Sequence, residues 1–108
     1  MLNRIITLDE VDSTNNYLKL NRGELPDGTL VTARIQTAGK GRRGHEWLAD
    51  QGMLPLSLLL KQPPHPDTLT LCAGVAVCEA LEPLLPGEEL GIKWPNDVVV
   101  NGKKICGI

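Results

Sequence analysis

The stretch TLVTARIQTAGKGRRGHEWLADQG, residues 29–52, decides how the rest of the chain is read. Its first part, Thr29 to Ile35, alternates and is rich in β-branched side chains, so it predicts a strand. From Gln36 to Gly52 there are four glycines, a cationic cluster and Trp47, with no sustained apolar period. That part predicts a long loop, and long loops in compact domains usually carry function. The residues just past the glycines discriminate between folds. GKGRRG, residues 39–44, matches the Gly-x-Gly-x-x-Gly of dinucleotide-binding folds, which must open a helix after its strand. Gln36-x-x-Gly39-x-Gly41 also fits the pyrophosphate loop of acyl-CoA N-acetyltransferases, which needs a helix as well. Trp47 and then Asp50-Gln51-Gly52 argue against a helix here. A P-loop is excluded, because its first glycine and its Ser or Thr would fall on Arg34 and Gly41.

Read as chemistry, Gln36 to His45 leaves a strand end with glycines that let backbone approach a ligand. Successive N–H groups in such a turn form an anion-binding nest. Lys40, Arg42 and Arg43 add charge-assisted bonds to carboxylate or phosphate, Arg with a bidentate fork. The site suits a small dianion or a nucleotide. A solvated basic loop with turn glycines is the plain alternative, and an RNA-binding loop is a weaker one.

Outward from this loop the elements come in order. Leu2 to Leu8 predicts a strand, and Asp12, Ser13 and Thr14 supply N-cap candidates for a short helix through Tyr17, Leu18 and Leu20. Asn21 to Gly28 is a loop. Met53 to Lys61 predicts a further strand, with Pro55 implying an edge or a bulge. Apolar positions from Leu69 to Leu84 mark a helix over Asp67 to Leu85, distorted at Pro83 and ended by Pro86-Gly87. Gly91 to Trp94, Val98 to Val100 and Lys103 to Ile108 predict strands, the last two joined by a type I′ turn at Asn101-Gly102. The order β-α-β-β-α-β-β predicts an α+β (or α/β) fold, a mixed sheet with helices packed on it. The chain stops inside the last predicted strand, so a domain truncated at its C-terminal side is the expectation.

Composition narrows the function. The chain has 108 residues, a net charge of −2, no Phe, two Trp and one Tyr, so aliphatic side chains must build the core. No global field favours nucleic acid, and any anion site is local. Three cysteines, Cys72, Cys78 and Cys106, have no metal-ligand spacing and predict buried, reduced thiols. His45 and His65 stand without partners at ligand distance, so no structural metal is expected. With no signal peptide and no apolar run long enough to span a bilayer, the expectation is a soluble cytoplasmic protein.

Two further clusters carry polar chemistry. Lys93-Trp94-Pro95-Asn96-Asp97 ends a strand, where a lysine in apolar surroundings is costly without an anionic partner. Its bland alternative is a turn with an exposed lysine. Asp12-Ser13-Thr14-Asn15 caps a helix in any case, and its hydroxyls and amides can also bond a polar ligand.

Taken in order, Asp-Ser-Thr-Asn, then Gln-x-x-Gly-(Arg/Lys)-Gly-Arg-x-Gly with a Trp shortly after, then Lys-Trp-Pro-Asn-Asp and an Asn-Gly-Lys-Lys-Ile-x-Gly-Ile strand, the pattern resembles the biotin–protein ligase family. The resemblance covers nearly the whole chain; related lipoate ligases share the fold without this combination. It implies a biotin/lipoate ligase-like, mainly antiparallel sheet. Residues 1–108 would be the front of the catalytic domain, with C-terminal strands and a small β-barrel beyond, and with no DNA-binding domain. It implies ATP-dependent activation of biotin to biotinyl-5′-AMP, with Mg2+, and transfer to a lysine of a biotin carboxyl carrier protein or domain. A non-catalytic fragment that holds biotin or an adenylate is the alternative.

The resemblance also assigns roles. Ser13, Thr14 and Asn15 would line the biotin pocket and reach its ureido ring, and Gln36 would contact biotin from the strand end. Gly39, Lys40, Gly41 and Arg42 would close over the carboxylate and phosphate, with Arg42 retaining the adenylate. Arg43 would support the loop or the ATP phosphates, and Trp47 would wall the site. Lys93 would offset charge as the phosphorus becomes pentavalent, with Asn96 and Asp97 orienting its strand and helping to place magnesium. Dimers through edge strands of the sheet occur in the family, so a homodimer is among the expected states. The chain departs from the family pattern at Gly52-Met53-Leu54-Pro55, where Gly-Asn-Leu-Tyr or Gly-Gly-Leu-Trp is common. Lys40 and His45 stand where Arg is usual or frequent, and Lys keeps charge while losing bidentate geometry.

Overall fold

The computed structural model describes residues 2–49 and 52–108, and the chain forms two compact units, Met1–Gln62 and Pro63–Ile108. In the first unit, strand β1 (Arg4–Val11) leads to helix α1 (Thr14–Asn21) and then to the long strand β2 (Thr29–Lys40). A 3-10 turn at Arg42–Gly44 joins β2 to β3 (Glu46–Ala49), and β4 (Leu56–Leu58) comes next. Strand β2 runs parallel to β1, with Arg4 opposite Thr29 and Val11 opposite Gln36. Along its other side it pairs antiparallel with β4, Val31 opposite Ser57, and further on with β3, Lys40 opposite Glu46.

The core of this unit is aliphatic, as a chain without Phe requires. Leu18 of α1, Leu25 of the adjoining loop and Val31 of β2 are buried together, with Ile6, Leu8, Tyr17 and Leu59 packed against them. Val31 is fully enclosed, which for a side chain of this kind contributes about 1.5–3 kcal/mol. Along β2 the residues Thr29, Val31 and Ala33 are buried in strict alternation, but the next buried positions are Gln36 and Gly39. The inward phase of the strand therefore changes between Ala33 and Gln36.

The second unit holds helix α2 (Leu69–Leu81) and an antiparallel meander of β5 (Leu90–Lys93), β6 (Asp97–Val100) and β7 (Lys103–Gly107). Single 3-10 turns flank α2 at Pro66–Thr68 and Glu82–Leu84, the second containing Pro83. Helix α2 lies on β5 and β6, and Gly74 makes the approach close: a Cβ there would stand 3.6 Å from Cδ1 of Ile92. Val98, at the centre of the meander, is fully buried. Asn101 and Gly102 have φ of 50° and 80°, the left-handed pair of a type I′ turn.

Three expectations are corrected. The segment after Ile35 is not a loop: β2 continues through Gln36 to Lys40, and β3 folds back on it as a hairpin whose tip is Gly41–His45. The predicted strand over Met53 to Lys61 shrinks to Leu56–Leu58. Pro55 has no N–H to pair, and its carbonyl instead accepts from Thr32 Oγ1 at 2.9 Å and Ala33 N–H at 3.4 Å. The thiols are free but not buried, Cys72 being exposed and Cys78 and Cys106 half-buried. Beyond Gly41 the chain makes one 3-10 turn and enters a strand, where the dinucleotide and acetyltransferase folds would each open an α-helix.

Candidate active site

The N-terminus of α1 is built by its own sequence. Ser13 is the N-cap, extended in backbone, and its Oγ accepts from Asn16 N–H at 3.0 Å. The Asp12 carboxylate accepts from Ser13 N–H at 2.7 Å and from Asn16 Nδ2 at 3.2 Å. These bonds hold its carboxyl below the ordinary range, the backbone bond from Ser13 being the larger cause and the Asn16 side chain the next. The carbonyl of Asp12 accepts from Ala38 N–H at 2.7 Å, which fixes the start of the helix beside the outer half of β2.

Beneath this cap lies a buried polar network. Gln36 Oε1 accepts from Thr14 N–H at 2.9 Å and stands 3.3 Å from Thr14 Oγ1. Thr14 Oγ1 is 2.7 Å from Ser57 Oγ, and Ser57 Oγ donates to Asn15 Oδ1 at 2.5 Å. Thr14 is 3% exposed, Gln36 8% and Ser57 9%, while Asn15 is exposed, so a desolvated group of hydroxyls and an amide opens to the surface at Asn15. Buried polar groups persist when they are bonded, and here each bond joins elements distant in sequence. Four of the predicted residues, Ser13, Thr14, Asn15 and Gln36, are thus brought together. Ser57 is the member that sequence reading passed over. Its only signal was a single hydroxyl within LPLSLLL, residues 54–60.

The glycine-rich segment supplies a hairpin tip directly beyond Gln36. Gly39 is buried opposite Trp47, and Lys40 is exposed opposite Glu46. The left-handed residues of the tip are Arg43 (φ 59°) and Gly44 (φ 75°), and Gly41 N–H is used to close it, donating to His45 carbonyl at 2.5 Å. Arg43 is exposed. For Arg42 and Trp47 the backbone is described, and their expected side-chain contacts lie outside the described residues. The tip therefore offers exposed cations at the end of the strand whose Gln36 enters the polar network.

Lys93, Asn96 and Asp97 stand in the second unit. Lys93 is the exposed last residue of β5, opposite Asp97 in register. Asp97 Oδ1 lies 3.0 Å from Lys104 Nζ of β7, and the Asn96 carbonyl accepts from Ile108 N–H at 2.8 Å. Both residues therefore anchor the turn that carries Lys93, Trp94 and Pro95. Asp97 is engaged by its lysine, and among the described residues no group of three His, Cys, Asp or Glu side chains is placed to hold a metal ion. No described helix is long and apolar enough to cross a membrane.

Comparison with known proteins agrees with this arrangement. Residues 8–108 match the model of the biotin/lipoate A/B protein ligase family. The bifunctional ligase/repressor BirA of Bacillus spizizenii is 39% identical over 96% of this chain and 33% of its own length. The biotin–[acetyl-CoA-carboxylase] ligase of Paracoccus denitrificans is 42% identical over 94% of this chain and 44% of its own. Among solved structures, the biotin protein ligase of Aquifex aeolicus in complex with biotin and ATP superposes with a TM-score of 0.78 at 38% identity, covering 98% of this chain and 45% of that one. The chain thus spans about a third to half of the length of the relatives it matches. It belongs to the biotin/lipoate A/B protein ligase family.

Proposed function

We propose that this chain carries the biotin-activating part of a biotin–protein ligase. Biotin carboxylate attacks the α-phosphorus of ATP, releasing pyrophosphate and giving biotinyl-5′-AMP. The ε-amine of a lysine on a carboxylase carrier domain then attacks the mixed anhydride and releases AMP. The observation that carries this reading is the network of the buried Thr14, Gln36 and Ser57 with the exposed Asn15, set beside a cationic hairpin tip. A desolvated set of hydroxyls and amides suits the uncharged polar ring of biotin. The exposed cations Lys40 and Arg43, with Arg42 between them in the chain, suit its carboxylate and the phosphates.

The protein's share of the chemistry is positioning and charge. Ser13, Thr14, Asn15 and Gln36 hold the ureido ring. Gly39, Lys40, Gly41 and Arg42 cover the carboxylate and phosphate, Arg43 supports the tip, and Trp47 walls the site. Lys93 stabilises charge developing at phosphorus, with Asn96 and Asp97 fixing its turn. Exclusion of water by the hairpin protects the anhydride. Because Asp97 is paired with Lys104, and no three described His, Cys, Asp or Glu side chains are placed together, the described residues do not fit a Mg2+ held by protein ligands alone.

The test is biotin-dependent ATP–pyrophosphate exchange, with Lys93→Ala as the control. Exchange that requires biotin and falls at least about 100-fold in the variant supports the reading, a loss of the size seen when one transition-state donor is removed. Folded protein that binds biotin without exchange reassigns the chain as a biotin-binding module. Protein that does neither overturns the reading.

A further inference from the structure

Asn101 is held by more than its turn requires. Its Oδ1 accepts from Glu89 N–H at 2.9 Å, its Nδ2 donates to Glu88 Oε2, and its own N–H donates to the Glu89 carbonyl at 2.8 Å. The hairpin needs only the left-handed backbone of Asn101 and Gly102, so the two side-chain bonds are additional. The residue that follows gives them a use. Gly102 is exposed, has no side chain to shield its backbone nitrogen, and its N–H makes no hydrogen bond among the described residues. An asparagine carboxamide beside such a nitrogen is open to cyclisation. Gly102 N attacks Asn101 Cγ, the new N–Cγ bond displaces Nδ2, and the Gly102 proton leaves with it as ammonia. Water then opens the succinimide, at Cγ to give aspartate or at the backbone carbonyl to give isoaspartate.

We propose that Asn101 is a latent deamidation site, and that Glu88 and Glu89 form a clamp that keeps it closed. Swinging the carboxamide over Gly102 N breaks both side-chain bonds, so cyclisation waits on local release of the clamp. Asp27-Gly28, the chain's other Asx-Gly pair, is guarded differently. There Gly28 N–H donates to the Leu59 carbonyl at 2.8 Å, and Asp27 Oδ1 accepts from Lys61 N–H at 2.8 Å. At 27–28 the attacking nitrogen is itself engaged; at 101–102 only the carboxamide is. The product alters the hairpin. Aspartate at position 101 loses the donor to Glu88 and faces that carboxylate as a like charge. Isoaspartate adds a methylene to the backbone of a two-residue turn and disturbs the pair that closes it, Val100 with Lys103. The inference is independent of the biotin reading.

The test is a timed incubation of wild-type protein, Glu88→Ala and Glu88→Gln in warm, mildly alkaline buffer. Peptide mass spectrometry reads deamidation at Asn101, and chromatography separates the aspartyl from the isoaspartyl product. Wild-type protein unfolded in urea gives the unclamped rate. Folded wild type is expected to be at least about tenfold slower than that, and Glu88→Ala about tenfold faster than folded wild type, the effect of one hydrogen bond to a charged group. Glu88→Gln keeps an acceptor for Nδ2 and should stay near the wild-type rate. Amide exchange at the buried Val98, unchanged from wild type, marks the acceleration as local release and not unfolding of the unit. Four results overturn the inference: folded wild type as fast as the unfolded chain, Glu88→Ala no faster than wild type, Glu88→Gln as fast as Glu88→Ala, or an acceleration matched by faster exchange at Val98.

Discussion

Thr14 donates its backbone N–H to Gln36 Oε1 at 2.9 Å, so the first turn of α1 is satisfied by a side chain from β2, 22 residues away. Helix termini leave their first N–H groups without partners, and this one is answered inside the protein by the residue assigned to the ligand pocket. On the proposed reading structure and binding are joined at a single amide group, and substitutions at Gln36 separate them.

Gln36→Ala leaves the Thr14 N–H buried and unpaired. We expect a loss of about 1–3 kcal/mol in stability from urea unfolding, together with loss of biotin binding. Gln36→Glu keeps an acceptor for Thr14 N–H but removes the two N–H donors of the amide. It should unfold close to wild type near pH ~8 and still bind biotin at least about tenfold more weakly. Equal effects of the two substitutions would contradict the division of labour between Oε1 and Nε2.

The cap of α1 makes stability depend on acid. Asp12 has a lowered pKa, so its bonds to Ser13 and Asn16 contribute stability above the unfolded-state value, about 3.9. That contribution is lost as pH falls through the lower folded-state value. Urea midpoints measured from pH ~6 down to ~3 should fall less steeply for Asp12→Asn than for wild type. Some acid sensitivity should persist, because Asp9 is lowered in the same direction by its hydrogen bond and charge pairing with Arg34.

The hairpin tip is expected to govern retention of the activated intermediate. Arg42→Gly should leave biotin binding within a few-fold and release biotinyl-adenylate about tenfold faster or more, from loss of a charge-assisted contact. Rapid filtration of labelled adenylate measures this directly. Unchanged release would remove Arg42 from the proposed retention role.

Thiol reactivity separates the second unit's cysteines. Cys72 is exposed on α2, whereas burial pushes the Cys106 thiol up, the nearby Lys104 opposing only in part. Since the thiolate is the reactive form, iodoacetamide at pH ~8 should alkylate Cys72 first and Cys106 several-fold more slowly. Mass spectrometry of timed samples reads the order, and equal rates would contradict the burial at Cys106.

The sequence showed plainly the chemistry that has a local cause. Ser13 caps a helix because its hydroxyl suits the N-cap, and Asn101-Gly102 turns a hairpin because both positions take positive φ. Pairing across distance was less visible. Residues 36–40 look like loop because glycines and charge replace apolar alternation, yet β3 pairs with them along one side and β1 reaches Gln36 from the other. Gln36 is buried out of phase with Val31, so no period-two reading would place it inward. Ser57 carried no signal beyond one hydroxyl in an apolar run, and its pairing with Val31 sets it beside α1. The positions of Ser13, Thr14, Asn15 and Gln36 in one cluster came from the family resemblance rather than from periodicity.

Among the described residues, strand β2 takes part in every strand pairing of the first unit: β1 along one side, β4 and then β3 along the other. Amides shielded from both sides open only when a large part of the unit opens with them, so their hydrogen exchange is slow. The two-sided stretch, Leu30 to Thr32 between β1 and β4 and again Gln36 between β1 and β3, is therefore the longest-lived backbone of the unit, and Gln36 belongs to it. The tip at 41–45 hangs on it with a closing bond of its own. On the proposed reading the tip opens and shuts many times during the lifetime of one intact pocket, without the pocket having to be rebuilt each time.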